Sequence, residues 1–242
     1  MVKVLLVEDD SVIARIIEYY LEQEANYTVV WAKTAGEAVA VARERFDVIL
    51  MDVLLPDING VELCTKMREW QKCPIIFISC LDNSDTIVNA LEAGGDDFIT
   101  KPFDNKVLVA RIEANIRRAS SVPLDVTNNV IVCEGFSLDT NRRVVVKPGG
   151  EVKLSPQEYR ILLFLMQNPN RYFSADELYK RVWGKDSYGD VRCVVVHVHN
   201  IRKKIEEPGR VRFLKNVWGK GYVFDPQGNG CPDGESSCDD EA

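Results

Sequence analysis

One stretch limits what this chain can fold into more than any other: Val48-Ile49-Leu50-Met51 runs apolar without interruption and stops on Asp52. Pro56, Asp57, Asn59 and Gly60 follow closely, a set of turn residues. An apolar run this short, bounded by Pro and Gly, suits a strand buried on both faces better than a helix. Val2 to Val7 has the same form and ends on Glu8, Asp9 and Asp10. Pro74-Ile75-Ile76-Phe77-Ile78 ends on Ser79, and Phe98-Ile99-Thr100 leads into Lys101 and Pro102. Laid side by side and parallel, such strands deliver their last residues to one edge of the sheet, where ligands of open α/β folds bind. That edge would collect several carboxylates, a hydroxyl and an ammonium. Packed carboxylates stay ionised together only beside a cation, and a hard divalent ion with oxygen ligands, such as Mg2+, meets that need.

Between these runs the apolar residues recur at helical spacing. Val12, Ile13, Ile16, Ile17, Tyr20 and Leu21 mark a first helix with Ser11 available as its cap. Residues 27 to 31 read as a strand and 35 to 44 as a helix; three more helices are expected over 60 to 68, 84 to 92 and 104 to 118. Five strands alternating with five helices predict a doubly wound parallel sheet over residues 1–118. A short polar linker is placed at 119–128. From residue 129 the pattern changes to short strands punctuated by Gly135, Asn141 and Pro148-Gly149-Gly150, an antiparallel meander. Ser155-Pro156-Gln157-Glu158 is a helix start with a capping box, and Ser174 with Glu177 is another. The run Cys193 to His199 is β-branched enough for a strand. It is nevertheless read as helix, because Val194, Val198, Ile201 and Ile205 share one helical face. Two strands around Trp218-Gly219-Lys220-Gly221 form a hairpin, so residues 129–225 read as an α+β domain whose helices and closing hairpin resemble a winged helix-turn-helix, with each domain expected to bury its own core.

The net charge of −7 conceals an asymmetry: residues 1–122 sum to −7, 123–224 to +6 and 225–242 to −6. Only the second domain is basic, the pattern of a DNA-binding module joined to an acidic partner. The tail over 226–242 is acidic, Gly-rich and poor in hydrophobes, and is expected to be disordered. Seven scattered cysteines without a C-x-x-C spacing favour free thiols in a reducing compartment, with a Cys231–Cys238 disulfide as the alternative. No apolar stretch is long enough for a membrane helix, and the N-terminus lacks a signal peptide, so a soluble, cytoplasmic protein is expected.

The spacing of Glu8-Asp9, Asp52, Ser79 and Lys101-Pro102 resembles the receiver domain of two-component response regulators, and the remainder resembles the winged-helix OmpR/PhoB family. The resemblance implies that Asp52 accepts a phosphoryl group from a sensor histidine kinase, helped by Lys101 and Ser79. It implies Mg2+ on Asp9, Asp52 and the Leu54 carbonyl, with Glu8 reached through water. Ser79 and Phe98 become the switch residues, the Phe98 ring turning inward on phosphorylation. A homodimer would form when phosphorylated, through Asp96, Asp97 and Arg111 on the face of the fourth helix, fifth strand and fifth helix. Asn89 departs from the basic residue usual on that face.

For the second domain the resemblance implies contacts to double-stranded DNA from Arg192, His199, Asn200, Arg202 and Lys203 on the recognition helix, and from Lys220 on the wing. His199-Asn200 stand where two arginines are common, so an altered site preference is expected, since Asn pairs naturally with adenine. His197 is read as a phosphate or core contact, and Trp218 as packing the wing. Residues 183 to 190 correspond to a loop that meets RNA polymerase in relatives. The protein is thus expected to be a regulator, with no enzymatic activity beyond its own phosphorylation and dephosphorylation. A constitutive DNA-binding regulator is the alternative. A Mg2+-dependent aspartyl phosphohydrolase is a weaker one, because the second acid such enzymes carry two residues after the nucleophile is Leu54 here.

Overall fold

The computed structural model describes residues 1–23, 26–120, 130–184, 191–206 and 212–228. In the first half, β1 (Val2–Val7), α1 (Ser11–Gln23), β2 (Tyr27–Ala32), α2 (Ala35–Ala40) and β3 (Val48–Asp52) are followed by α3 (Gly60–Met67), β4 (Ile75–Ser79), α4 (Ser84–Glu92), β5 (Asp97–Thr100) and α5 (Asn105–Ser120). The five strands are parallel in the order β2-β1-β3-β4-β5. Every residue of β3 and β4 is buried, which is why those strands read as unbroken apolar runs. Alternate side chains still part to opposite faces: Ile49, Met51 and Phe77 go to one core, Leu50, Ile76 and Ile78 to the other. The chain leaves β1 for β2 on one side and returns to β3 on the other. The crevice at the carboxyl ends of β1 and β3 is therefore the switch point where such sheets bind ligands.

Two local expectations are corrected. α2 stops at Ala40 rather than continuing to residue 44. The buried Gln71 amide donates to the carbonyls of Ala42 and Glu44, both at 2.6 Å, and holds that segment out of the helix. The start of α1 is served by Asp10 rather than Ser11: its Oδ1 accepts from the Val12 and Ile13 amides.

The second half begins with an antiparallel sheet, β6 (Val130–Cys133), β7 (Phe136–Asp139), β8 (Val144–Lys147) and β9 (Gly150–Lys153), in sequence order. Helices α6 (Pro156–Gln167), α7 (Ala175–Trp183) and α8 (Arg192–Ile205) follow, then the hairpin β10 (Leu214–Val217) and β11 (Gly221–Phe224). Both capping boxes form, at Ser155 with Glu158 and at Ser174 with Glu177. The β-branched run is helical as expected, with Val194, Val198, Ile201 and Ile205 buried.

The halves do not keep separate cores, contrary to expectation. One apolar cluster runs from Leu5, Met51 and Phe77 through Ile87 and Leu91 of α4 into Ile161, Trp183, Val194 and Phe224 of the second half. Polar contacts reinforce the junction. The Gln157 amide donates to Asp96 Oδ1 at 3.2 Å, and its side chain donates to Asn115 Oδ1 at 2.9 Å. Asn200 donates to the Leu91 carbonyl at 3.2 Å, and Arg192 to Ser84 Oγ at 2.6 Å. Arg118 donates to the Trp183 carbonyl, and Arg143 to that of Ala119 at 2.6 Å.

Gly60 is the tightest point near the sheet edge. A Cβ there would lie 1.9 Å from the Asp52 carbonyl oxygen, so the β3-to-α3 connection closes only on a residue without a side chain. Gly60→Ala should lower the unfolding free energy by about 1–3 kcal/mol, measured as a fall in the urea midpoint, with the larger effect on the geometry around Asp52.

Candidate functional site

At the carboxyl edge the strand ends converge as their spacing implied. Glu8 follows β1, Asp52 closes β3, Ser79 closes β4, and Lys101 follows β5. Lys101 Nζ reaches Asp52 Oδ2 at 2.5 Å and the Glu8 oxygens at 2.8 and 3.0 Å. Carboxylate oxygens of Glu8, Asp9 and Asp52 lie within 4.8 Å of one another. Glu8, Asp52 and Ser79 are buried, whereas Asp9 is exposed. The frame is held by backbone bonds: Glu8 N donates to the Ala32 carbonyl at 3.0 Å and Lys101 N to the Ser79 carbonyl at 2.7 Å. Trp31 Nε1 donates to the Glu8 carbonyl at 2.8 Å. The Lys101–Pro102 peptide is cis. Asp52 Oδ1 accepts from the Leu54 amide at 2.9 Å, and Ser79 Oγ accepts from the Leu81 amide at 3.2 Å. Leu54 presents an apolar, half-exposed side chain where a phosphohydrolase would need an acid.

Burial pushes the Glu8 carboxyl up to about 7; the neighbouring Asp52 charge adds to this, and the hydrogen bonds and charge of Lys101 oppose it. For Lys101, burial works against the charge, but the bonds to Asp52 and Glu8 outweigh it and raise the ammonium above its ordinary value. A single ammonium thus bridges two inward carboxyl groups, while Asp9 faces the solvent side of the cluster. Such an edge can receive a second, hard cation and an anionic group together.

The other expected switch and interface residues have these surroundings. Phe98 is buried and stacked on Phe77, with centroids 6.3 Å apart. Asp97 pairs with Arg111 of its own chain at 3.0 Å and accepts from Asn115 at 3.2 Å. Asp96 is fully buried, pairs with Arg68 at 2.5 Å and accepts from the Ile75 amide at 2.9 Å. These three residues, expected to pair across a dimer axis, are ion-paired within the receiver half itself, and Gln157 of the second half adds one further hydrogen bond to Asp96.

The candidate nucleic-acid face is split. Arg192 is exposed and bonded to Ser84; Asn200 is buried against α4; His199 and Lys203 each stand 3.8 Å from Glu92 at the end of α4. Arg202 turns toward the hairpin, its Nε donating to the Leu214 carbonyl at 2.9 Å. His197 is a core residue: it is fully buried, its ring centroid 5.6 Å from that of Trp183. Burial lowers its pKa, against the pull of Glu158 and Asp96. Lys220 lies over the Tyr172 ring at 5.5 Å on the hairpin. Trp218 does not pack the wing as expected but projects from its turn, 94% exposed. The residues that sequence reasoning missed are Gln157, Asn115 and Arg118, which join the domains. A Gln after Ser-Pro or an Asn late in a helix carries no signal of a distant partner. Residues 185–190 of the expected polymerase loop, nearly all of the linker, and the tail from 229 with Cys231 and Cys238 lie outside the described residues.

The raised Glu8 pKa has a sign that can be measured. Below about 4.5, Glu8 is protonated in folded and unfolded chains alike; above that the unfolded chain loses the proton while the folded chain keeps it until about 7. Without divalent cations, stability should therefore fall as pH rises from 5 to 8. Denaturant midpoints in chelator should show this decline, and Glu8→Gln should flatten it.

Comparison with known proteins agrees with this geometry. The family model "Response regulator receiver domain" matches residues 4–113, and "Transcriptional regulatory protein, C terminal" matches 149–224. The transcriptional regulatory protein ResD of Bacillus subtilis (strain 168) is 36% identical over 230 residues, covering 92% of this chain and 95% of that protein. SrrA of Staphylococcus aureus (strain NCTC 8325 / PS 47) is 33% identical over 237 residues, covering 95% and 98%. Among solved structures, a RitR mutant shares the fold with a TM-score of 0.75 at 22% identity, over 93% of this chain and 99% of that one. The acidic edge, the winged helix and these full-length relatives place the chain in one family: it belongs to the OmpR/PhoB-type response regulators, two-component transcriptional regulators built from a receiver and a winged-helix DNA-binding domain.

Proposed function

We propose that this regulator is switched by phosphoryl transfer from a sensor histidine kinase to Asp52. The observation that carries the reading is Lys101, which bridges Glu8 and Asp52 at a sheet edge whose three carboxylates come within 4.8 Å. An Asp52 oxygen attacks phosphorus, the new P–O bond forms as the P–N bond to the kinase imidazole breaks, and the imidazole leaves. The carboxylate oxygens of Glu8, Asp9 and Asp52 form an all-oxygen set that suits Mg2+; Asp9, Asp52 and the Leu54 carbonyl would hold it, with Glu8 reached through water. When bound, Mg2+ screens the charge of the incoming phosphoryl group. Lys101 then pairs with a phosphoryl oxygen, and Ser79 donates its hydroxyl to another.

The domains correspond to 1–118 and 129–225, joined by 119–128, with the acidic tail over 226–242. Asn200 and Arg192 are held on α4, and these contacts restrain the recognition helix from DNA until Asp52 is phosphorylated. Ser79 connects the two sites. Its hydroxyl is tied to Leu81, the next turn is capped by Asn83, and Ser84 accepts from Arg192. Drawing Ser79 toward a phosphoryl group loosens the α4–α8 contact and frees two surfaces at once. The recognition helix, with Arg192, His199, Asn200, Arg202 and Lys203, enters the major groove. The face carrying Asp96, Asp97 and Arg111 becomes available for a homodimer on tandem half-sites. The protein acts in the cytoplasm and engages RNA polymerase through residues 183–190. The contacts of Asn200 and Arg192 with α4 support control by phosphorylation over constitutive binding.

Acetyl phosphate with Mg2+ should label the parent chain and raise its dimer content and operator affinity, while Asp52→Ala should be unlabelled and unresponsive. Equal behaviour of donor-treated parent and mutant would end the proposal. Asn115→Ala removes a buried amide from the domain junction, so without any donor it should bind operator roughly fivefold to tenfold more tightly. Unchanged affinity would mean that the junction does not restrain the recognition helix.

A further inference from the structure

The hairpin that closes the second domain presents an indole almost wholly to solvent. Trp218 stands at the turn between β10 and β11, 94% exposed, while Trp183 is buried and Trp31 and Trp70 each rest partly against the fold. Its support is firm. The strands pair from Leu214 with Phe224 to Val217 with Gly221, and the Lys220 amide closes the turn on the Val217 carbonyl at 3.0 Å. Phe173 and Tyr222 exchange two backbone bonds of 2.9 and 2.8 Å, anchoring the hairpin to the segment before α7. Gly219 and Gly221 take φ of 72° and 96°, and a Cβ on Gly221 would meet the Phe173 carbonyl oxygen at 2.2 Å. The indole is therefore held out by a fixed backbone.

The surroundings indicate what it meets. Lys220 lies two residues away over the half-exposed Tyr172 ring, and the tip segment from Val217 to Tyr222 carries no acidic residue. The same hairpin accepts a hydrogen bond from Arg202 of α8, so the tip is fixed relative to the recognition helix. A large apolar group beside a cation, set at a fixed offset from a helix that enters the major groove, matches the phosphate-lined minor groove next to it. An indole inserted there unstacks a base step, and flexible pyrimidine–purine steps yield at least cost. Its one polar atom, Nε1, is a donor, and A·T pairs present only acceptors in that groove.

We propose that Trp218 is an apolar wedge for the operator's minor groove, choosing the step beneath the wing by its deformability rather than by a base-edge pattern. This rests on the DNA-binding reading and adds a specificity residue to it.

The test uses the full chain, treated with phosphodonor, and a duplex selected from random sequence by the parent protein. Trp218→Ala should bind that duplex about tenfold more weakly, with an unchanged salt dependence, because no phosphate contact is lost. Trp218→Phe should retain most of the affinity. Replacing a TA or CA step under the wing by AA should weaken the parent about tenfold and leave Trp218→Ala indifferent. End-to-end energy transfer should show a bend with the parent that the alanine variant lacks. Parental affinity in Trp218→Ala would overturn the proposal, as would an equal loss on both duplexes with a shallower salt slope, the mark of a phosphate contact. A change in dimer content without DNA would assign Trp218 to a protein contact and overturn it too. Failure of the parent to select any duplex would instead defeat the DNA-binding reading itself.

Discussion

A single ammonium holds the receiver's edge together. Lys101 comes from the far side of the sheet to pair with Asp52 and Glu8, both buried. Two carboxylates brought this close out of water repel each other, and burial alone lifts Glu8 toward neutrality. Breaking such a buried arrangement by deleting one partner commonly costs roughly 3–5 kcal/mol, so Lys101 is structural as well as chemical. The pairing also makes the site responsive: any new anion on Asp52 competes for the same ammonium and must pull it from Glu8.

The second dependence is geometric. β4 and β5 lie next to each other, so the strand ends that carry Ser79 and Lys101 share their edge with the loop that starts α4. α4 in turn supports the helix that would read DNA. A displacement at Ser79 therefore has a short covalent path to Ser84 and a packed one to Asn200, without any need for a long chain of weakly coupled residues. The one apolar core that spans both domains gives this path stiffness, since packed interiors transmit shifts rather than absorb them.

Much of the site was legible because its logic is periodic and local. A strand buried on both faces leaves a run of apolar residues, and a functional carboxylate at its end breaks that run, so Asp52, Ser79 and Lys101 stand out at the ends of such runs. Helix starts were readable from Ser155-Pro156 and Ser174 because capping is a bond between near neighbours. α8 was harder, its valines favouring a strand locally, yet the spacing of Val194, Val198, Ile201 and Ile205 outweighed propensity because burial of one face decides the matter. The length of α2 was misread because Gln71, far along the chain, captures the carbonyls of residues 42 and 44.

The amino-acid sequence by itself thus determined the two folds, the acidic edge and the family, through spacings that act over a few residues or along one strand. Only the tertiary structure decided that Asp96, Asp97 and Arg111 pair within the receiver, that His197 is core, that Asn200 rests on α4 and that Trp218 is held free of the wing. Each of these depends on which elements pack together within a domain, across the domain junction or at a hairpin tip. Such contacts join residues tens of positions apart, and no periodicity of the chain records them.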